Sequence, residues 1–347
     1  MEAASTAIGH EGEVNMVSFG IIGTNFISDR FIAAGSLLTN FQASAVCSRS
    51  METAQAFAAK HQIPHCFTDV VEMLDSGYIR ALYIASPTNL HAYYAKLALA
   101  KGIHVLCEKP VTSNSSELKE LIELARANRV LFMEAMKSTT MPAFRQAVEH
   151  MDQLGTIRRY FASFCQYSSR YDAYKQGTVL NAFKPEFSNG ALMDIGVYCI
   201  YPAILLFGKP KSVQASAFML ESGVDGQGSI IMHYENGLDA VIQYSKISNS
   251  YLPLEIQGEE GSLLLNKVSE PSEVTLRTRK GEIQDLSLPT IQHDMYYEVQ
   301  HFITLIEENK TESPINSHAT SLAAMEVMDE VRRQIGLVFP ADEAVKA

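Results

Sequence analysis

The chain of 347 residues is 47% hydrophobic and 19% charged, with a formal net charge of -11. That length is too great for one small core and predicts two domains with a substantial buried interior. The acidic balance argues against a broad nucleic-acid surface, while leaving room for a local basic pocket that takes one phosphate.

Residues 1–14 read as a flexible N-terminal segment, without the basic and apolar regions of a signal peptide. From there to residue 135 two periods alternate. Short apolar runs at Val17–Ile22, Ala43–Cys47, Ala81–Ala85, Ile103–Cys107 and Val130–Met133 have the length and composition of buried strands. Helical stretches lie between them. One carries apolar Phe26, Ile27, Phe31 and Ile32, two more cover Glu52–His61 and His91–Lys101, and a fourth presents Leu118, Leu121, Ile122 and Ala125 on one face. Gly102 is placed to end a helix, and Asn114 with Glu117 to cap the next. Strand–helix repetition of this kind predicts an α/β Rossmann domain over 15–135, built on a doubly wound parallel sheet.

Past residue 135 the texture changes. Ile157–Tyr167 is a long extended stretch. Asn236-Gly237 between Ser229–Tyr234 and Leu238–Ser245 is a hairpin signal. Further short strands are expected at Glu255–Gln257, Ser262–Leu265, Val274–Thr278 and Glu282–Leu286, and helices at Met295–Glu308 and Ser317–Ile335. This predicts an α+β domain over 136–347 with an open, largely antiparallel sheet. No apolar run is expected to reach the roughly 18–20 residues of a membrane helix. Cys47, Cys66, Cys107, Cys165 and Cys199 are odd in number and include no C-x-x-C pair, so they read as reduced thiols of a cytoplasmic protein. The scattered histidines show no ligand spacing, and no metal is expected.

Phe19 to Ser28 runs from the first strand through a turn into a helix. Where a dinucleotide loop usually reads G-x-G-x-x-G, this chain has Gly23, Asn25 and Ser28. Gly23 can make the tight turn. Asn25 tolerates left-handed geometry better than most residues. Ser28 is small enough for close helix–strand packing. From the residues alone, a working cofactor loop and an ordinary strand–turn–helix both stay open. After the second strand come Ser48, Arg49 and Ser50, where an acid would serve the ribose of NAD. An arginine flanked by hydroxyls suits a 2′-phosphate and favours NADP over NAD; otherwise Arg49 caps a surface turn.

Two further stretches carry more information. Glu108-Lys109-Pro110 follows an apolar strand, and Asp194-Ile195-Gly196-Val197-Tyr198 opens an apolar helix. With Ser86-Pro87-Thr88-Asn89-Leu90-His91 and Met133-Glu134-Ala135-Met136, they resemble the glucose–fructose oxidoreductase / inositol dehydrogenase / rhizopine catabolism (Gfo/Idh/MocA) family from about Val17 to Ile335. Tyr198, where many members carry histidine, resembles the dihydrodiol and xylose dehydrogenase branch. The resemblance implies an NAD(P)-dependent oxidoreductase that passes hydride between nicotinamide C4 and a sugar, polyol or related cyclic alcohol. It implies that Gly23, Thr24, Asn25, Phe26, Ile27, Ser86, Pro87, Thr88, Asn89, His91, Glu108 and Lys109 meet the dinucleotide, with Ser48 and Arg49 at its ribose. Lys109 and Tyr198 would face the substrate, with Asp194 nearby, and subunits would pair into a homodimer or higher homo-oligomer.

The chemistry of these residue types agrees. A free phenol is a poor base at neutral pH, and a neighbouring ammonium is expected to lower its pKa. Asp194 and Tyr198, four apart, are expected on one helix face. Glu108 is expected to hold the loop or the lysine. Arg170, Asn181 and Lys184 could meet a sugar or stand as solvated loop residues. Structural alternatives stay open for a packed Tyr198, a capping Asp194 and a helix-starting His91. Asn25, Ser28 and the segment Lys137-Ser138-Thr139-Thr140 depart from the family pattern. A dinucleotide-sensing regulator without turnover and a redox-neutral lyase or glycosidase are the alternative functions.

Overall fold

A computed structural model describes residues 15–343. The segment 1–14 lies outside the described residues. The first half builds β1 (Val17–Ile22), α1 (Phe26–Gly35), β2 (Phe41–Cys47), α2 (Met51–His61), β3 (His65–Phe67), α3 (Val70–Asp75), β4 (Ala81–Ile84), α4 (His91–Ala100), β5 (His104–Glu108), α5 (Ser115–Asn128) and β6 (Phe132–Ala135). Its sheet runs β3-β2-β1-β4-β5-β6 with every neighbour parallel. Val17, Phe19, Ile21 and Tyr83 enter one apolar layer, and Ile22, Leu82 and Ile84 the other. Apolar residues on both faces of each strand are what a sheet covered on both sides requires.

The helix signals act as expected, with one refinement. Asn114 Oδ1 accepts the Glu117 N–H at 3.0 Å, but the Glu117 carboxylate accepts from Ser113, one residue before the cap, at 2.9 Å. Gly102 ends its helix at φ +75°. β3 and α3 were not foreseen. A three-residue strand, only half-buried, presents no apolar run to read.

The second half continues with α6 (Pro142–Glu149), β7 (Ile157–Cys165), α7 (Ser169–Lys175), a π-helical turn over Leu192–Gly196, α8 (Val197–Phe207), β8 (Ser212–Met219), β9 (Asp225–His233), β10 (Asp239–Ser245), β11 (Leu254–Gly258), β12 (Gly261–Leu265), β13 (Val274–Thr278), β14 (Ile283–Asp285), α9 (Tyr296–Glu307) and α10 (His318–Ile335). Its sheet runs β14-β13-β12-β11-β7-β10-β9-β8. β7 and β10 are parallel and the other pairs antiparallel. Gly237 makes the expected hairpin turn at φ +80°.

α9 crosses back to the first half, where Phe302 meets Phe19 with ring centroids 6.0 Å apart. One apolar stretch is longer than the sequence reading allowed. Pro185–Phe207 is apolar enough by length and composition to span a membrane, and 78% of its most apolar window is buried inside the protein. The reading missed it because Glu186 and Asp194 interrupt the run. All five cysteines are unpaired.

Candidate active site

A cavity of about 680 Å³ opens at the C-terminal ends of β1, β4 and β5. One wall carries Asn25, Phe26, Ile27, Ser86, Pro87, Thr88, His91, Glu108 and Lys109; the other carries Phe164, Gln166, Arg170, Asn181, Asn189, Asp194 and Tyr198. The strand-end crevice of a doubly wound sheet is where such folds bind ligands. Most of the expected residues therefore converge. Gly23, Thr24, Ser48, Arg49, Asn89 and Lys184 are not on the cavity wall. Gly23 shapes the loop from behind, and exposed Arg49 follows β2 at the same sheet edge.

The glycine loop is altered and ordered. Gly23 sits at φ +101°, and a Cβ there would lie 2.5 Å from the Ala85 carbonyl oxygen. No other residue fits that approach. Asn25 is not left-handed, contrary to expectation. It is extended (φ -108°, ψ 178°) and caps α1 through Oδ1, which accepts the N–H groups of Ile27 and Ser28. Its Nδ2 donates to Ala85 O at 2.8 Å. Ser28 is fully buried and donates to Gly23 O at 2.7 Å. Side chains thus stabilise a turn that glycines would leave to the backbone. The close approach at Gly23, the start of α1 and the crevice fit a dinucleotide's pyrophosphate. The side chain of Asn25 takes up two of the helix's first N–H groups.

Glu108 and His91 brace the next two loops. Glu108 accepts from Tyr83 Oη at 2.6 Å and from the Lys109 N–H at 3.3 Å. Burial raises its pKa. His91 places Nδ1 3.0 Å from Pro110 O and Nε2 2.9 Å from Ser86 O. Burial pushes this imidazole down to about 4, so it is neutral and donates to one carbonyl at a time. It begins α4 and also links the two loops.

The opposite wall begins at Gly190. Its φ of +142° and missing side chain admit Asp225, whose Oδ1 lies 2.2 Å from where a Cβ would stand. Asp225 Oδ2 accepts the Leu192 N–H at 2.7 Å, at the start of the π turn. Val197 N–H then reaches back five residues to Leu192 O. Asp194 and Tyr198 consequently do not share the uninterrupted α-helical face expected from their spacing.

Asp194 is the hub of the constellation. Lys109 Nζ donates to its backbone carbonyl at 2.6 Å and to Oδ1 at 3.1 Å. Lys246 Nζ donates to Oδ2 at 2.6 Å. Burial alone would raise the Asp194 pKa, but the two ammoniums outweigh it and keep the carboxylate ionised. Lys109 Nζ also lies 4.9 Å above the Tyr198 ring centroid, against the face rather than at the hydroxyl. The Tyr198 pKa is raised, contrary to expectation. Burial is the main cause, followed by the carboxylates of Glu108, Glu298 and Asp194. These effects together outweigh the lowering that was expected from Lys109, and the phenol stays protonated.

A second charge cluster closes one end of the cavity. Arg30 of α1 reaches Glu270 at 3.0 Å and Asp294 at 2.5 Å. Buried Lys137 pairs with Glu270 at 2.8 Å and with Asp294. Lys137 lies in the segment that departs from the family pattern. Burial would raise the Glu270 pKa, but Lys137 and Arg30 hold it down to about 2. Sequence reading missed Lys246, Arg30 and Glu270. Their partners lie at least 52 residues away in the chain, and no local spacing signals them.

Comparison with known proteins places this geometry. Residues 17–136 match the oxidoreductase family with an NAD-binding Rossmann fold, and residues 144–264 match the GFO/IDH/MocA C-terminal domain. The chain is 51% identical to the scyllo-inositol 2-dehydrogenase (NADP(+)) IolU of Bacillus subtilis, covering 95% of this chain and 100% of that protein. It is 30% identical to the trans-1,2-dihydrobenzene-1,2-diol dehydrogenase of Xenopus laevis, covering 93% and 99%. A 3-ketoreductase of Actinomadura kijaniata, solved with NADP and TDP-benzene, superposes with a TM-score of 0.81 at 25% identity, over 92% of this chain and 98% of that one. The chain belongs to the Gfo/Idh/MocA family of oxidoreductases.

Proposed function

We propose that the protein is an NADP-dependent oxidoreductase that interconverts a ring alcohol of a polyol or sugar with its ketone. The observation that carries this reading is the convergence of Lys109, Asp194 and Tyr198 in the strand-end cavity. The relatives' names supply the substrate class and the nucleotide. The N-terminus of α1, the Ser86–Thr88 loop and Arg49 would hold the nucleotide, with Arg49 at the 2′-phosphate. When bound, its nicotinamide supplies or removes hydride at the substrate carbon. Tyr198 Oη, a protonated phenol, gives its proton to the substrate oxygen on reduction and regains one from solvent; oxidation is the reverse, in which the phenolate takes the alcohol's proton. Lys109 Nζ donates a hydrogen bond to that oxygen and stabilises its negative charge. Asp194 holds Lys109 in place. Gln166, Asn181, Asn189 and Arg170 offer donors and acceptors to the remaining hydroxyls.

Fluorescence titration with NADPH and with NADH, followed by a panel of inositols, sugars and dihydrodiols, tests the reading. Tight NADPH binding and turnover of a cyclic polyol are expected. Binding without turnover across the panel would favour a sensor, and no binding of either nucleotide would end the proposal. The open face of the second sheet, where Phe218 is 56% and Ile231 37% exposed, is the surface we assign to subunit pairing. Its prediction is a dimer mass or larger in sedimentation equilibrium.

A further inference from the structure

Lys246 is almost completely buried, at 3% exposure, yet carries an ammonium. It follows β10, and its backbone is fixed on both sides. Its N–H donates to Gly226 O at 2.9 Å and its carbonyl accepts from Ser168 N–H at 2.9 Å. The side chain passes over the Phe183 ring, with Nζ 5.2 Å from the centroid, and ends on Asp194 Oδ2. It is not on the cavity wall. A buried, paired lysine is costly to desolvate, and packed apolar residues in place of a whole buried ion pair are often at least as stable. Its position behind a carboxylate that faces the substrate cavity suggests a use.

Asp194 divides its two carboxylate oxygens between two ammoniums, Lys109 on Oδ1 and Lys246 on Oδ2. The three groups together carry one net positive charge. Without Lys246 the trio becomes a closed one-to-one pair, in which Asp194 cancels Lys109 and draws Nζ away from the cavity. With Lys246 present, the aspartate is already neutralised from behind and can orient Lys109 without consuming its charge. We infer that Lys246 is a positioning residue, acting through Asp194 to keep the charge of Lys109 available to the substrate oxygen. This inference rests on the catalytic reading of Lys109 given above.

The test compares Lys246→Met, Lys109→Ala, Asp194→Asn and the double variant Lys246→Met/Asp194→Asn in the full chain. The readouts are NADPH affinity by fluorescence, melting temperature, and kcat and KM for the polyol. A folded Lys246→Met is expected to bind NADPH as the wild type does. Its kcat should fall about tenfold to a hundredfold, the scale of a misplaced catalytic group, with KM changed less than threefold. In the Asp194→Asn background the same change should cost much less, because the route through the carboxylate is already broken. Wild-type kcat in Lys246→Met, with Lys109→Ala inactive, overturns the inference alone. Full additivity of the two changes overturns it too. Wild-type turnover in Lys109→Ala overturns the reading beneath it. If Lys246→Met does not fold, Lys246→Gln keeps a donor toward Oδ2 without the charge and carries the same expectation. Failure of both to fold assigns Lys246 to the fold and overturns the inference.

Discussion

The amide nitrogen of Asn25 is tied to the carbonyl of Ala85 by a 2.8 Å hydrogen bond, joining the first turn of α1 to the end of β4. The same side chain caps the helix through its oxygen. One residue thus does the work of a cap and a cross-strand tie. Asn25→Ala removes both, and each is typically worth about 1 kcal/mol. The expected outcome is a loss of about 1–3 kcal/mol in urea unfolding. A variant as stable as the wild type would show that the loop is held by backbone alone.

Lys109→Ala and Tyr198→Phe address the reaction itself. Each is expected to lower kcat by about 10²–10⁴, the usual contribution of positioned proton transfer, with NADPH affinity changed far less. Steady-state kinetics on the substrate found by the panel measures this. Tyr198→Phe keeps the ring under the Lys109 ammonium, so its loss reports the hydroxyl and not the packing.

Arg49→Ala separates the two nucleotides. A charge-assisted pair with a phosphate is worth about 1.5–3 kcal/mol, so NADPH affinity should drop about tenfold or more while NADH affinity holds. Equal weakening of both would place Arg49 in the fold of the loop and leave the 2′-phosphate to another group.

Glu134 on β6 gives a pH prediction. It is 4% exposed and accepts the Val111 N–H at 3.1 Å. Burial pushes its pKa up to about 7. In the unfolded chain it ionises near 4.3. Between these values the folded state holds a proton that the unfolded state has released, so stability falls as pH rises through this window. The contribution is on the order of 3 kcal/mol, complete below the lower value and absent above pH 7. Glu134→Gln keeps the acceptor and removes the titration. Urea unfolding at pH 5 and pH 8 should therefore show a smaller decline in the variant. Parallel declines would mean that Glu134 is ionised throughout.

Local chemistry was legible in the sequence, and long-range chemistry was not. The apolar runs of β1, β4 and β5 announced a sheet buried on both faces, and Asn236-Gly237 marked the β9–β10 hairpin of the second sheet. Lys109 and Asp194 were found because each sits in a contiguous motif. Lys246 was invisible because its reason for being buried is an aspartate on another element. The ionisation of Tyr198 was misjudged for a related reason. The sequence placed an ammonium near the phenol but could not show that burial and the surrounding carboxylates outweigh it, or that the ring face, not the hydroxyl, receives it. β8 escaped because its alternate residues are exposed and small residues dilute its apolar side.

The π turn at Leu192–Gly196 makes the site depend on residue count as well as residue identity. It holds one residue more than the corresponding α-helical turn, with Asp194 inside it and Tyr198 just beyond. A single-residue deletion there would wind everything upstream by roughly 100° relative to α8, turning Asp194 away from Lys109 while leaving every named side chain in the chain. Substitutions can tune this site one group at a time, whereas a change of length by one residue would dismantle its alignment in one step.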